Sequence, residues 1–203
     1  MEIIPYSFNY NERFVTLAVE GMGFYKLGDS RLASTYARYI LYTHLLFATD
    51  AYMVKDQDKV IGMLLYRDKK KSPLFGNNPS LIKAKMKNRR LLQRFSPKSY
   101  LTLGDKIDTL VHLYFSTSEE DGELLFLVSD IHYPTRGIGK ALLNKLSEDH
   151  KNERVVLLTD SNCNVGFYDH MGFELVKKIS VSEDYPSYYC YFYAKPFRRY
   201  LVI

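Results

Sequence analysis

Between His132 and Leu146 the sequence reads HYPTRGIGKALLNKL, and its chemistry lies in Arg136, Gly137, Gly139 and Lys140. Two glycines around a single residue place bare backbone at the head of an apolar-periodic segment. The first N–H groups of a helix have no intrahelical partner and lie at the positive end of its dipole. They form an anion site, which a phosphate approaches most closely where no Cβ intervenes. Arg136 and Lys140 add charge beside it. The spacing G-x-x-x-x-G-K-[ST] of a P-loop is absent. A dinucleotide fingerprint needs a third glycine where Leu142 stands.

A second constellation follows in DSNCNVGFYDHMGFELV, residues 160–176. It sets Tyr168 on a short helical segment after an apolar strand, with Gly172 as the terminating residue. Together, SDIHYPTRGIGKALL and NCNVGFYDHMGFELV resemble the two signature segments of the GNAT superfamily of N-acetyltransferases. The cofactor motif of that family, [QR]-x-x-G-x-[GA], falls on Pro134 to Gly139, with Pro134 where the family has Gln or Arg. The second signature falls on Phe167-Tyr168 and Gly172-Phe173. The resemblance covers residues 122–195.

The resemblance implies a mixed α/β fold. It has a mostly antiparallel sheet of six or seven strands, helices on both faces and a central parallel pair that splays apart. It implies acetyl-CoA in that gap, with the backbone of Leu127, Val128 and Ser129 along the pantetheine arm. The amides of Arg136, Gly137, Ile138, Gly139 and Lys140 would hold the pyrophosphate, and Asn164 the pantetheine amides. The implied reaction is direct acetyl transfer to a primary amine of a small molecule or peptide, with no metal. An alkyl ammonium, with a pKa of about 10, must shed a proton before it attacks. Glu123, fourteen residues before Gly137, is the implied base. Tyr168 is the implied proton donor to the leaving thiolate. Asp130 and His132 read as turn caps, and Cys163 as a structural residue. The competing reading is a non-catalytic CoA-binding regulator, or an RNA-binding protein, on the same fold.

These residues need elements to position them. Glu2 to Pro5 reads as an edge strand, and residues 51–55 and 59–66 as a hairpin around Asp56-Gln57-Asp58. Residues 29–48 read as a helix capped by Asp29 or Ser30, with Leu32, Tyr36, Ile40 and Phe47 near one face. Further helices are expected at 80–95, 105–116, 137–149 and 164–171. Apolar strands are expected at 123–130 and 154–160, and closing strands at 173–181 and 187–195. The chain reads as a single domain over residues 1–203, with a basic, helical insertion at about 68–121.

That insertion carries the charge. Lys69 to Gly104 contains ten Lys and Arg and no Asp or Glu. Removing those ten charges from the net +5 leaves the rest of the chain at −5. The insertion suits a solvated helix face, a lid for an acidic acceptor or the CoA phosphates, or a homodimer element. It lacks the interleaved aromatics of a base-stacking surface, so nucleic acid ranks last. Tyr185, Tyr188, Tyr189, Tyr191, Tyr193 and Tyr200 suit an acceptor pocket, a dimer contact or alternating strand faces. No apolar run approaches the about 20 residues of a membrane helix, and the N-terminus does not read as a secretory leader. With two cysteines the reading is a cytoplasmic protein without a disulfide framework.

Overall fold

The computed structural model describes residues 1–180 and 188–197, with residues 98–103 described by backbone alone. Tyr185 and Tyr200 lie outside the described residues, as do residues 181 and 187 of the expected closing strands.

Seven strands form one sheet: β1 (Glu2–Pro5), β2 (Asp50–Asp56), β3 (Lys59–Asp68), β4 (Gly122–Ser129), β5 (Arg154–Asp160), β6 (Glu174–Ser180) and β7 (Tyr189–Pro196). Their spatial order is β1-β2-β3-β4-β5-β7-β6, and every neighbouring pair is antiparallel except β4 with β5. This is the mixed sheet expected from the sequence. The helices are α1 (Asn11–Gly21), α2 (Ser30–Phe47), α3 (Pro79–Phe95), α4 (Lys98–Thr117), α5 (Ile138–Asp149) and α6 (Val165–His170).

Local chemistry explains most boundaries. Asp29 accepts a hydrogen bond from the Leu32 N–H at 2.7 Å and caps α2. Asn78 caps α3 the same way, through the Leu81 N–H at 3.0 Å, with Pro79 as the first helical residue. The sequence reading misses α1 altogether. Its first residue follows Tyr10, which makes no side-chain cap, so no start signal marks it. Helix α4 begins at Lys98 and not at 105, because Gly104 interrupts the periodic pattern yet stays inside the helix.

The sheet separates two hydrophobic layers. On one face Phe14, Leu17, Leu41 and Leu45 of α1 and α2 pack on Met53, Met63, Leu65, Phe126 and Val128. On the other, Ile138, Leu142 and Leu146 of α5 pack on Ile61, Leu64, Leu124 and Leu157. Helix α4 covers the far half of the first face, with the rings of Tyr114 and Phe192 4.6 Å apart. The segment between β3 and β4 thus roofs the sheet beside α2.

At the end of the sheet away from the glycine turn, His150 is 2% exposed and lies between two carboxylates. Its Nδ1 is 2.9 Å from Glu153 and its Nε2 3.4 Å from Asp50. The Tyr66 hydroxyl donates to Glu153 at 2.7 Å. Burial alone would lower the His150 pKa, but Asp50 and Glu153 outweigh it and hold it above the ordinary 6.5. A raised folded-state pKa stabilises the fold fully below pH 6.5, and the contribution is lost as pH rises through the folded value. The melting-temperature advantage of the wild type over His150→Gln is therefore expected to shrink as pH rises from about 6.5 into the alkaline range. An advantage constant across that range would show that the imidazolium contributes nothing.

Candidate functional site

The parallel pair β4 and β5 is in register at only three positions: Gly122 with Val155, Glu123 with Val156 and Leu124 with Leu157. Beyond Leu124 the strands part. The cause is visible one strand over. Leu65 of β3 faces Phe126 and Tyr66 faces Leu124, so Leu125 is an extra residue without an opposite number. Such a bulge bends its strand and breaks pairing locally. Leu125 and Phe126 consequently both join the layer under α1 and α2. The edge of β4 from Leu125 to Ser129 then faces Leu158 to Asp160 across open space.

That space is a cavity of about 1010 Å³. The structure brings all eleven residues singled out from the sequence to its wall. Leu127, Val128 and Ser129 lie along the parted edge of β4, and Arg136, Gly137, Ile138, Gly139 and Lys140 lie at one mouth. Asn164 and Tyr168 flank the gap from α6, and Glu123 sits on the opposite side, where the strands still pair.

The turn has the backbone an anion needs. Gly137 adopts φ +83°, the left-handed region that excludes most side chains. A Cβ on Gly139 would come within 3.1 Å of the Phe167 ring. The first hydrogen bond of α5 runs from the Ala141 N–H to the Gly137 carbonyl at 2.9 Å, which leaves the N–H groups of Ile138, Gly139 and Lys140 without intrahelical acceptors. Arg136 and Lys140 are exposed beside them. Asp130 is engaged elsewhere: it accepts from the His132 N–H at 3.0 Å and pairs with Arg13 and Lys59. It caps the turn, as its sequence position suggests.

Glu123 is 4% exposed and ion-paired to Arg67. Burial raises its pKa, against the opposing pull of Arg67. The guanidinium of Arg67 lies 4.0 Å from the centre of the Phe115 ring, so α4 helps clamp the pair. Tyr168 packs against Phe167, Phe173 and Tyr193. Its hydroxyl is enclosed and makes no hydrogen bond among the described residues. Burial, then Cys163 and Asp160, raise its pKa, so the phenol keeps its proton at neutral pH. The Asn164 side chain precedes α6 but makes no cap bond, which leaves its amide facing the cavity. Cys163 is pushed up to about 11, chiefly by burial, so it remains a thiol.

Sequence reasoning missed part of the wall. Leu32, Tyr36, Ile40 and Phe47 do share one face of α2, and that face borders the cavity; Ala33, Ala37, Leu41 and Leu45 point into the core instead. His44 borders the cavity too, pushed down to about 4 by burial and then by Arg67 and Lys85, so it is neutral at pH 7. Arg67, Asp105, Asp108 and Asp160 complete the polar lining near α2. They come from three separated segments, and no local motif joins them. Of the insertion's cations, Lys85 and Arg89 face inward, whereas Lys83, Lys87, Arg90 and Arg94 line an outer face of α3. Across the mouth, the Lys26 ammonium donates to Asn162 at 3.2 Å and links the two banks.

Away from the cavity, Asp68, His150 and Glu153 bring ligand-type atoms within 4.8 Å of one another. Hydrogen bonds and the nearby Lys71 ammonium already occupy these groups, 3.6 Å separating Lys71 from Asp68. No helix among the described residues is long and apolar enough to cross a membrane.

No family model matches the sequence. No curated protein matches it either. Solved structures do match. The histone acetyltransferase HPA2 and related acetyltransferase from Corynebacterium glutamicum is 14% identical, with 94% of this chain and 93% of that one covered at a TM-score of 0.57. A GNAT-family acetyltransferase from Bacillus cereus is 10% identical, with 96% of each chain covered at 0.53. An aminoglycoside 6'-acetyltransferase type Ii is 15% identical, with 97% of each covered at 0.52. The likeness spans nearly the whole chain and is one of fold: this chain has the GNAT acetyltransferase fold.

Proposed function

We propose that this protein is an acetyl-CoA-dependent N-acetyltransferase that moves the acetyl group directly to a primary amine. The observation that carries the reading is the parted edge of β4, Leu125 to Ser129, leading straight to the glycine turn. An extended amide-bearing arm fits along an unpaired strand edge, and a pyrophosphate fits at bare helix N–H groups. The residues present suit both parts of CoA.

Acetyl-CoA supplies the acetyl group as a thioester. The edge of β4 from Leu127 to Ser129 and the Asn164 amide orient the arm in the gap. The amides of Arg136 to Lys140 neutralise phosphate charge. Glu123 takes the proton that the acceptor ammonium must lose, either directly or through a water. Burial raises the pKa of its carboxylate against the opposing pull of Arg67, which makes it a stronger base than a solvated glutamate. Tyr168 holds a proton for the departing sulfur. Burial holds the phenol pKa above its ordinary value, so Tyr168 stays protonated and meets the departing thiolate as a hydrogen-bond and proton donor.

The test is ligand-dependent melting followed by thiol release over a panel of amines. Acetyl-CoA at 100 times its Kd is expected to stabilise the protein by about 2.7 kcal/mol, a rise of roughly 5–10 °C for this size. No shift with any acyl-CoA would sink the proposal. Binding without thiol release over the whole panel would favour a CoA-responsive regulator instead.

A further inference from the structure

Arg67 of β3 owes its place opposite Glu123 to the bulge at Leu125. On one side of the bulge the strands pair Tyr66 with Leu124, Arg67 with Glu123 and Asp68 with Gly122. On the other they pair Leu65 with Phe126. Continued without the extra residue, that second register would set Arg67 opposite Leu124 and Asp68 opposite Glu123. Directly opposed side chains share a face of the sheet, so two carboxylates would then meet. The residue that parts β4 from β5 therefore also brings a cation, and not an anion, to Glu123.

The guanidinium is held by more than Glu123. It lies 4.0 Å from the centre of the buried Phe115 ring of α4 and 5.6 Å from that of Phe47 at the end of α2. Its Nε is buried and has no hydrogen-bond partner among the described residues. A buried N–H left unpaired is unfavourable, so filling space does not by itself call for arginine here. Arginine brings a flat cation that stacks on a ring while its outer nitrogen donates to the carboxylate. The other groups around Glu123 change little. Lys69 pulls in the same direction but less, with its ammonium over Phe115 and donating to the Ser118 carbonyl at 2.8 Å. His44 of α2, which feels Arg67, is neutral at pH 7, and β5 sets the uncharged Val156 across from Glu123.

We infer that Arg67 is a positioning residue for the transfer, holding the Glu123 carboxylate ready to take a proton, and that Phe115 of α4 holds Arg67. The inference rests on the acyl-transfer reading above, in which Glu123 is the base, and adds the residue that governs it. Burial favours the protonated acid, which cannot take a proton from the acceptor, and Arg67 opposes that. Through Phe115 the segment between β3 and β4 gains a part in the chemistry that its charge does not explain.

The test is kcat/KM for a reactive amine between about pH 6 and pH 9, with acetyl-CoA saturating. The deficit of Arg67→Met is about tenfold or more at the acidic end and shrinks as pH rises, because Glu123 then ionises without its partner. Arg67→Lys, which keeps the charge but not the flat stack, recovers part of the acidic-end rate. Phe115→Leu shows a smaller deficit of the same pH dependence and adds nothing to Arg67→Met in the double variant. A deficit equal at every pH, or no recovery in Arg67→Lys, overturns the inference, and an additive double variant overturns the part given to Phe115. Carboxyl 13C NMR titration of the CoA-free protein needs no turnover, the Glu123 signal being the one missing in Glu123→Gln. A higher Glu123 midpoint in Arg67→Met supports the inference even where no amine releases thiol, a result that sinks transfer. An unchanged midpoint beside wild-type turnover sinks the inference and leaves transfer standing. If the unpaired carboxylate unfolds Arg67→Met, the midpoint is read in Phe115→Leu, where a rise supports the inference and no change overturns it.

Discussion

Gly137→Glu removes the thermal shift that acetyl-CoA gives the wild type and lowers kcat/KM by at least about 100-fold, or ~2.7 kcal/mol. Two effects combine. Residue 137 sits at φ +83°, where a side chain costs roughly 1–2 kcal/mol. The open space around it admits the glutamate, so the carboxylate lies where phosphate charge is to be held. Gly137→Asn separates the two, because asparagine tolerates the left-handed backbone without adding charge. The asparagine variant is expected to keep most of the shift. A full shift in Gly137→Glu would show that the turn is no phosphate site.

Tyr168→Phe is expected to lower kcat by about 100-fold while the KM for acetyl-CoA stays close to that of the wild type. The ring contacts with Phe167, Phe173 and Tyr193 survive the change, so the fold and the arm's seat persist. Only the enclosed proton is lost. Steady-state kinetics at several pH values are the measurement. Wild-type kcat in the variant would remove Tyr168 from proton transfer and leave it a packing residue.

The legibility of this protein followed the range of each interaction. The glycine turn, the Tyr168 segment and the strand at Arg154 were readable because their signals lie within a few neighbouring residues. The hairpin at β2 and β3 was readable because two apolar runs around the polar turn Asp56-Gln57-Asp58 are a local signal. Helix α1 was not, since it lacks a side-chain cap and ends on Gly21 with Gly23 just beyond. The face of α2 bearing Tyr36 and Ile40 looked like any apolar stripe, and nothing local distinguishes a cavity wall from a core wall. Glu123 was reachable only by its distance from the turn. Its partner Arg67 was not reachable, because the pair forms across two strands separated by the whole α3–α4 segment. The polar lining near α2 depends on three such separated segments and leaves no trace in composition or spacing.

The seam between β4 and β5 has a mechanical consequence. Four strands stand on one side of it and three on the other, joined in the sheet by three residue pairs. An extended molecule bonded to the open edge of β4 and anchored at α5 and α6 acts as a tie between the two halves. Its grip is set by how far they separate as well as by the contacts it makes. Ligand binding and the stiffness of the whole sheet are then one property, read together in the amide exchange of strands that the ligand never touches.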